Sequence, residues 1–376
     1  MGRLRVCQLI TELRPAGAER CVYELARRLD RGRFAVHVAA LRGGAVAEWL
    51  RRAGVGVTVL GVRGRLDAVK LLELIRLLRR QRTQLLHTHL FHADLAGRIA
   101  ASAAGVPHLV HTVHVAEARF RPWQYAWARA AAGLCDRILC VSAAVRDHHA
   151  RRSGLPAWRY GVIHNGVDPD DYAADLARGR QLRSGWGVGD EEVLLAFVGR
   201  LDYQKNVALF LAAAGRLRRA GKGVRVVIAG DGPERPLVEE FLRRDDASRW
   251  AVWLGFTDDV AGVLSAADVL VLPSRWEGFG LAAAEAMAAG LPVVATRVPG
   301  LTEVIEDGES GLLVDSEDLD GLAAAVARLV DDPATRARLG LAGRRRVGER
   351  FSIAANVAAH ERLYTELAGG APARVS

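Results

Sequence analysis

Short apolar runs alternate with longer amphipathic stretches along almost the whole chain, and the alternation begins afresh near the middle. The first series predicts strands at 5–10, 35–40, 57–60, 85–89, 108–113, 137–141 and 160–164, with helices at 17–29, 45–52, 68–80, 93–104, 123–134 and 143–151 between them. The second predicts strands at 193–198, 224–229, 251–254, 267–272, 291–295 and 311–314. Helices at 207–220, 233–244, 260–265 and 281–289 separate them, and three more follow at 319–331, 333–346 and 353–367. Strands that are apolar throughout, each followed by a helix, imply parallel sheets covered on both faces. The interval 165–187 has the turn residues of a junction, so it is assigned no helix. The expected fold class is α/β: an N-terminal doubly wound, Rossmann-like domain over 1–180 and a second over 181–352. Residues 353–376 are expected to form a last helix and a disordered tail from 368. Two such domains facing one another would make a cleft at the carboxyl ends of their strands, where ligands of these sheets bind.

With 376 residues and half of them hydrophobic, the chain can fill two cores. No apolar run reaches the roughly 18–20 residues that cross a bilayer, and the longest, 281–295, carries Glu285. The opening residues MGRLRVCQLI show neither a signal-peptide nor a myristoylation pattern, so a cytoplasmic protein is expected. The four cysteines, Cys7, Cys21, Cys135 and Cys140, form no CxxC pair and are expected as small core residues in a reducing compartment. The formal charge of +9 is uneven: 29 of 52 Lys and Arg, but only 15 of 43 Asp and Glu, fall in residues 1–180. A basic half beside an acidic half suggests an anionic partner for the first domain, or solvated arginine-rich helix faces.

The stretch PSRWEGFGLAAAEAMAAGLPVVAT places Glu277 before a Gly-Phe-Gly turn and Glu285 in the helix behind it. Backbone N–H groups of Gly278, Phe279, Gly280 and Leu281 can approach an anion at that helix N-terminus. Two carboxylates beside an anion site fit a ligand that also carries hydroxyls; a buried structural acid and a solvated loop acid fit the spacing as well. Gly199, Arg200 and Lys205 follow the first strand of the second domain, where two cations can neutralise a leaving diphosphate without a metal. Gly230 and Phe256 lie in further strand-end loops, and the backbone of the latter loop could meet a planar base. Gly17 opens the first helix of the first domain. The usual GxGxxG dinucleotide fingerprint is missing after the first strand, which weakens any dehydrogenase assignment. His87, His89, His111 and His114 end two strands. Their spacing matches no metal site, so His114 is expected as a hydrogen-bond partner of a polar substrate and His87 as a buried residue. Asp168-Pro169-Asp170 spells a metal-binding DxD but is expected to be a turn.

The segments GRLDYQKN, GDGPER, LGFTDDV and PSRWEGFGLAAAEAMAAGLPVVAT resemble the donor-binding domain of the retaining GT-B glycosyltransferases of family 4 (glycosyl transferases group 1). HTHLFHADLAGRIA, HTVH and HNGVD resemble their first domain, and the likeness covers nearly the whole chain. It implies that Glu277 holds hydroxyls of the transferred sugar and Glu285 the nucleotide ribose. Arg200 and Lys205 would hold the diphosphate together with the Gly278–Gly280 backbone. His114 would sit beside the sugar, and Gly17 near the phosphate, with Ala16 standing where the family usually has glycine. The resemblance further implies a metal-independent, hexosyl-type transfer without cofactor, the last helix crossing back to the first domain, and a nucleotide-sugar donor, UDP-sugar before GDP-sugar. The acceptor would be a glycan or lipid-linked saccharide of cell-envelope or exopolysaccharide synthesis.

A sugar-nucleotide 2-epimerase or a noncatalytic sugar-nucleotide-binding subunit would share this architecture. A nucleic-acid partner would need aromatics interleaved with basic residues and is not expected, because the cluster of that kind suits an interface better. Trp123, Tyr125 and Trp127 beside Arg119, Arg121 and Arg129 instead suggest an acceptor-facing or peripheral, anionic-membrane-facing segment.

Overall fold

A computed structural model describes residues 2–64, 67–116, 120–244 and 246–369. The chain forms two compact units, one from residues up to 166 together with those from 353, the other from 167 to 352.

The first unit runs β1 (Leu4–Glu12), α1 (Gly17–Arg28), β2 (Phe34–Arg42), α2 (Val46–Arg52), β3 (Gly56–Val59), α3 (Ala68–Arg80), β4 (Leu85–His89) and α4 (Phe91–Ala104). It continues with β5 (His108–Val113), α5 (Pro122–Ala130), β6 (Arg137–Cys140), α6 (Ala143–Ser153) and β7 (Tyr160–Val162). The seven strands lie in the order β3-β2-β1-β4-β5-β6-β7, and every pair is parallel. Val6, Cys7, Leu9 and Ile10 of β1 are all buried, as a central strand covered on both faces requires.

The second unit holds α7 (Leu176–Gly185), β8 (Val193–Val198), α8 (Val207–Arg219), β9 (Val224–Ala229), α9 (Arg235–Arg243), β10 (Ala251–Gly255), α10 (Val260–Ala266) and β11 (Val269–Leu272). After these come α11 (Leu281–Ala288), β12 (Val293–Thr296), α12 (Leu301–Val304), β13 (Leu312–Val314), α13 (Leu319–Asp331) and α14 (Pro333–Arg350). Its six parallel strands are ordered β10-β9-β8-β11-β12-β13. Asp carboxylates start α3, α7, α10, α13 and α14: Asp67, Asp175, Asp259, Asp318 and Asp332 each accept from a first-turn N–H. Such caps satisfy donors that have no intrahelical partner.

The last helix, α15 (Ile353–Ala368), packs in the first unit. Ile353, Val357, Leu363, Tyr364 and Leu367 join Val6, Leu25, Phe34, Leu85, Val110 and Leu139 in one apolar cluster. Glu361 pins the same helix to the turn before β2, accepting from Asp30 N–H at 2.8 Å and from Arg33 Nη1 at 3.0 Å.

Two expectations change. The junction 165–187 contains α7, and the chain changes unit at Gly166/Val167 instead of at 180. α7 has few apolar residues, so no 3.6-residue pattern marks it. It is held by polar and close-packing contacts: a Cβ on Gly179 would lie 2.5 Å from Ser265 O, and Arg183 donates to Ala266 O, Asp268 and Glu192 O. The aromatic segment of α5 is mixed in exposure. Trp123 is exposed, but Tyr125 is buried and bonded to His148 Nε2 at 3.0 Å, and Trp127 buries its indole nitrogen. Arg119 lies outside the described residues. Asp168–Asp170 is a turn, with Asp170 N–H donating to Asp168 Oδ1 at 3.1 Å. All four cysteines are free, and Cys21 is half-buried where the other three are buried. No helix among the described residues is long and apolar enough to cross a membrane.

Candidate active site

In the second unit the loops after β8, β9, β10 and β11 leave the carboxyl ends of adjacent strands. The first three are stitched by backbone bonds: Gly199 N–H donates to Ala229 O at 3.0 Å, and Gly230 N–H to Gly255 O at 2.8 Å. Gly230 has φ of 152°, and a Cβ there would sit 1.8 Å from Gly199 O, so only glycine fits. Phe256 follows this stitch and is 52% exposed.

The loop after β8 turns on Asp202, which accepts from Lys205 N–H through its carbonyl at 3.0 Å and its Oδ1 at 3.2 Å. The turn sends Lys205 across to the loop after β11, where Nζ lies 2.6 Å from Glu277 Oε1. Ser274 Oγ donates to that same oxygen at 2.8 Å. Glu277 is only 5% exposed, and its second oxygen, Oε2, has no partner yet is not a sealed atom. Further bonds fix the two loops together. Gln204 donates its amide to Trp276 O at 2.9 Å, Arg275 N–H donates to Gln204 O at 2.8 Å, and Arg275 stacks 3.9 Å over the Tyr203 ring while pairing with Glu317. A carboxylate held this way presents one fixed acceptor beside a cation.

Gly278, Phe279 and Gly280 are buried behind Glu277. The Phe279 ring packs edge-on against Phe351 at 5.3 Å, so its side chain belongs to the core and only its backbone can face a ligand. Gly280, at φ of 92°, opens α11 and gives it no side-chain cap. Leu281 is half-buried, and Glu285 is buried in the second turn of α11. Arg200 is 64% exposed in its side chain and reaches only Asp202, at 3.6 Å. The structure therefore joins Lys205 to Glu277 directly, and Gly199 to Gly230 by close approach. Gly17, exposed at the start of α1, and His114 belong to the other unit. Ser274 and Gly300, whose Cβ would lie 2.9 Å from Glu277 O, are site residues that carry no sequence signal of their own.

In the first unit, β4 and β5 bury a histidine cluster against α15. His87 is bonded on both nitrogens, to Tyr364 Oη at 2.6 Å and Thr112 Oγ1 at 2.7 Å. His89 Nδ1 meets His114 Nε2 at 3.0 Å. A cavity of about 20 Å³ adjoins His89, His114, His360, Asn165, Asn356 and Cys21. Burial pushes His114 down to about 3 and His360 down to about 4, and drives His87 and His89 well below 6.5. Among the described residues no group of three or more His, Cys, Asp or Glu is placed to hold a metal ion.

These histidines make stability pH-dependent. Below 6.5 the unfolded chain takes up protons that the folded cluster does not, so their stabilisation is complete above that value and is lost as pH falls towards 3 to 4. Urea midpoints should drop steadily from about pH 7 to about pH 5, each histidine contributing up to about 1.4 kcal/mol per pH unit. A flat profile over that window would contradict neutral burial.

The chain resembles known glycosyltransferases in sequence and in fold. Residues 15–171 match Glycosyltransferase Family 4, and residues 192–332 match Glycosyl transferases group 1. The alpha-maltose-1-phosphate synthase of Mycolicibacterium smegmatis is 34% identical over 295 residues, covering 71% of this chain and 75% of that protein. The UDP-Gal:alpha-D-GlcNAc-diphosphoundecaprenol alpha-1,3-galactosyltransferase of Escherichia coli is 30% identical over 275 residues, 71% of each chain. Among solved structures, Anabaena Alr3699/HepE in complex with UDP and glucose matches with a TM-score of 0.86 at 24% identity, over 96% of this chain and 100% of that one. Sucrose-phosphate synthase from Thermosynechococcus elongatus matches at 0.82 and 21%, over 98% and 100%. These structural likenesses bear on the fold, and the relatives bear on the family: the chain is a glycosyltransferase with the GT-B fold of two Rossmann-like domains, and it belongs to glycosyltransferase family 4.

Proposed function

We propose that this glycosyltransferase moves a sugar from a nucleoside diphosphate sugar to a saccharide hydroxyl, with retention of anomeric configuration and without a metal ion. The observation that carries this reading is the Lys205–Glu277 pair on the loop that leads into the N-terminus of α11. Glu277 Oε2 accepts from hydroxyls of the transferred sugar, and Glu285 from the ribose. Lys205, Arg200 and the Gly278–Leu281 backbone balance the diphosphate, in the role that a metal ion plays elsewhere. Gly199 and Gly230 keep the strand ends bare, and Phe256 flanks the base. The family resemblance assigns Gly17 to the phosphate and His114 to the sugar, and both lie in the first unit.

In the reaction the acceptor oxygen bonds to the anomeric carbon as the bond from that carbon to the diphosphate oxygen breaks on the same face. The departing phosphate takes the acceptor proton, so no enzymic nucleophile is needed. Uridine is favoured because the Anabaena structures are described with UDP and UDP-glucose, and the Escherichia coli relative is named for UDP-Gal. That relative's name also points to a lipid-linked saccharide as acceptor, which would suit the basic first unit. This unit carries 29 Lys and Arg against 13 Asp and Glu, and it is the part of the chain suited to an anionic acceptor or surface.

A screen of UDP-, GDP- and ADP-sugars by thermal shift tests the reading. A specific donor at about 100 times its Kd should stabilise the protein by about 2.7 kcal/mol, and turnover should persist in chelator. Conversion of a sugar nucleotide without any acceptor would replace transfer with epimerisation. Absence of any shift would remove the donor site.

A further inference from the structure

Among the described residues His114 makes one hydrogen bond, Nε2 to His89 Nδ1 at 3.0 Å. Its ring is 8% exposed, and Nδ1 is not among the sealed unpaired atoms. His89 is 2% exposed, and its Nε2 is sealed without a partner. A neutral imidazole has one N–H, so the contact admits two proton arrangements. If His89 carries its proton on Nε2, a buried N–H donor is orphaned and His114 Nε2 becomes the donor across the pair. If His89 carries it on Nδ1, that nitrogen donates to His114 Nε2, and the atom left over is a bare acceptor. Orphaned buried donors are rarer than under-satisfied acceptors, which favours the second arrangement. The ring of His89 is held in register by His87, 4.1 Å away between centroids. His87 cannot relieve His89, since Tyr364 and Thr112 occupy both its nitrogens.

We infer that His89 is a positioning residue that fixes His114 as the Nδ1–H tautomer, so the accessible nitrogen of His114 is a hydrogen-bond donor and not a base. Its place beside the sugar rests on the proposed function; the tautomer does not. A donor there binds a sugar or acceptor oxygen and cannot take the acceptor's proton, which leaves that proton to the departing phosphate.

The test uses the full chain with ¹⁵N-labelled histidine. Long-range proton–nitrogen correlation spectra, with His114 assigned through His114→Gln, should show a protonated Nδ1 and a bare Nε2. In His89→Leu that signature should be lost and kcat should fall about tenfold, the scale of one hydrogen bond at the transition state, with KM for the donor little changed. His89→Asn, whose amide N–H replaces Nδ1–H, should restore both. An Nε2-protonated His114 in the unaltered protein, as when a cavity water accepts from His89 Nε2–H, overturns the inference. Wild-type turnover in a folded His89→Leu overturns the positioning role. Failure of the transfer reading would appear separately, as no turnover by the unaltered protein with any nucleotide sugar.

Discussion

Replacing Glu277 by Ala is expected to lower turnover by at least about 10²-fold, the scale on which a preorganised charge contact at the transition state is lost. The carboxylate is fixed by Lys205 and Ser274 on one oxygen, leaving the other as a rigid acceptor. Its removal also leaves the Lys205 ammonium without its carboxylate partner. Arg200→Ala is expected to fall by a similar factor, and because Arg200 is exposed with only Asp202 nearby, its stability should hardly change. Initial-rate kinetics should show the loss mainly in kcat, with thermal melts run alongside to separate folding from chemistry. Near-wild-type transfer by both variants would remove the sugar and diphosphate from this pair of loops.

Arg98→Met should destabilise the first unit by about 3–5 kcal/mol, as breaking one half of a buried ion pair does. Arg98 and Asp94 are 1% and 3% exposed, one turn apart on α4, with Arg98 Nε 2.9 Å from both carboxylate oxygens. The guanidinium also donates to Ala131 O, so it ties α4 to the turn after α5. Without it the Asp94 charge keeps only Thr88 Oγ1 at 3.2 Å and the His111 ring at 3.3 Å. Burial is the main force against the charged form of His111, Asp94 favours it and Arg98 opposes it, so without Arg98 the loss should be smaller at acid pH, where His111 protonates beside Asp94 more readily. Replacing both members by apolar residues should cost less than replacing Arg98 alone, because no unpaired charge remains buried. Urea denaturation of the single and double variants measures this. Additive losses would mean that the pair is not coupled.

Much of the fold was legible because strands buried on both faces read as unbroken apolar runs, and the turns between them carry Gly, Asn and Asp. β4, α3, β5, β8, β9 and α13 lie where the pattern puts them. α7 was illegible for the opposite reason: it is fixed by arginine bonds and a glycine contact, neither of which leaves a hydrophobic period. α12, a single turn, is too short for any period to show. At the candidate site, glycine turns, a Lys-Arg pair and two glutamates stand out in the sequence. For Phe279 the sequence points only to its backbone, and the packing of its ring on Phe351 is visible only in the tertiary structure.

The sequence by itself determined two parallel-sheet domains and the family. Only the tertiary structure decided partners. Lys205 and Glu277 are 72 positions apart, and they meet because β8 and β11 are neighbours in the sheet, so the loops leaving them share an end. His89 and His114 meet because β4 lies beside β5. A hydrophobic pattern specifies which face of a strand is buried, but strand order comes from how whole units pack, and strand order sets which side chains reach each other.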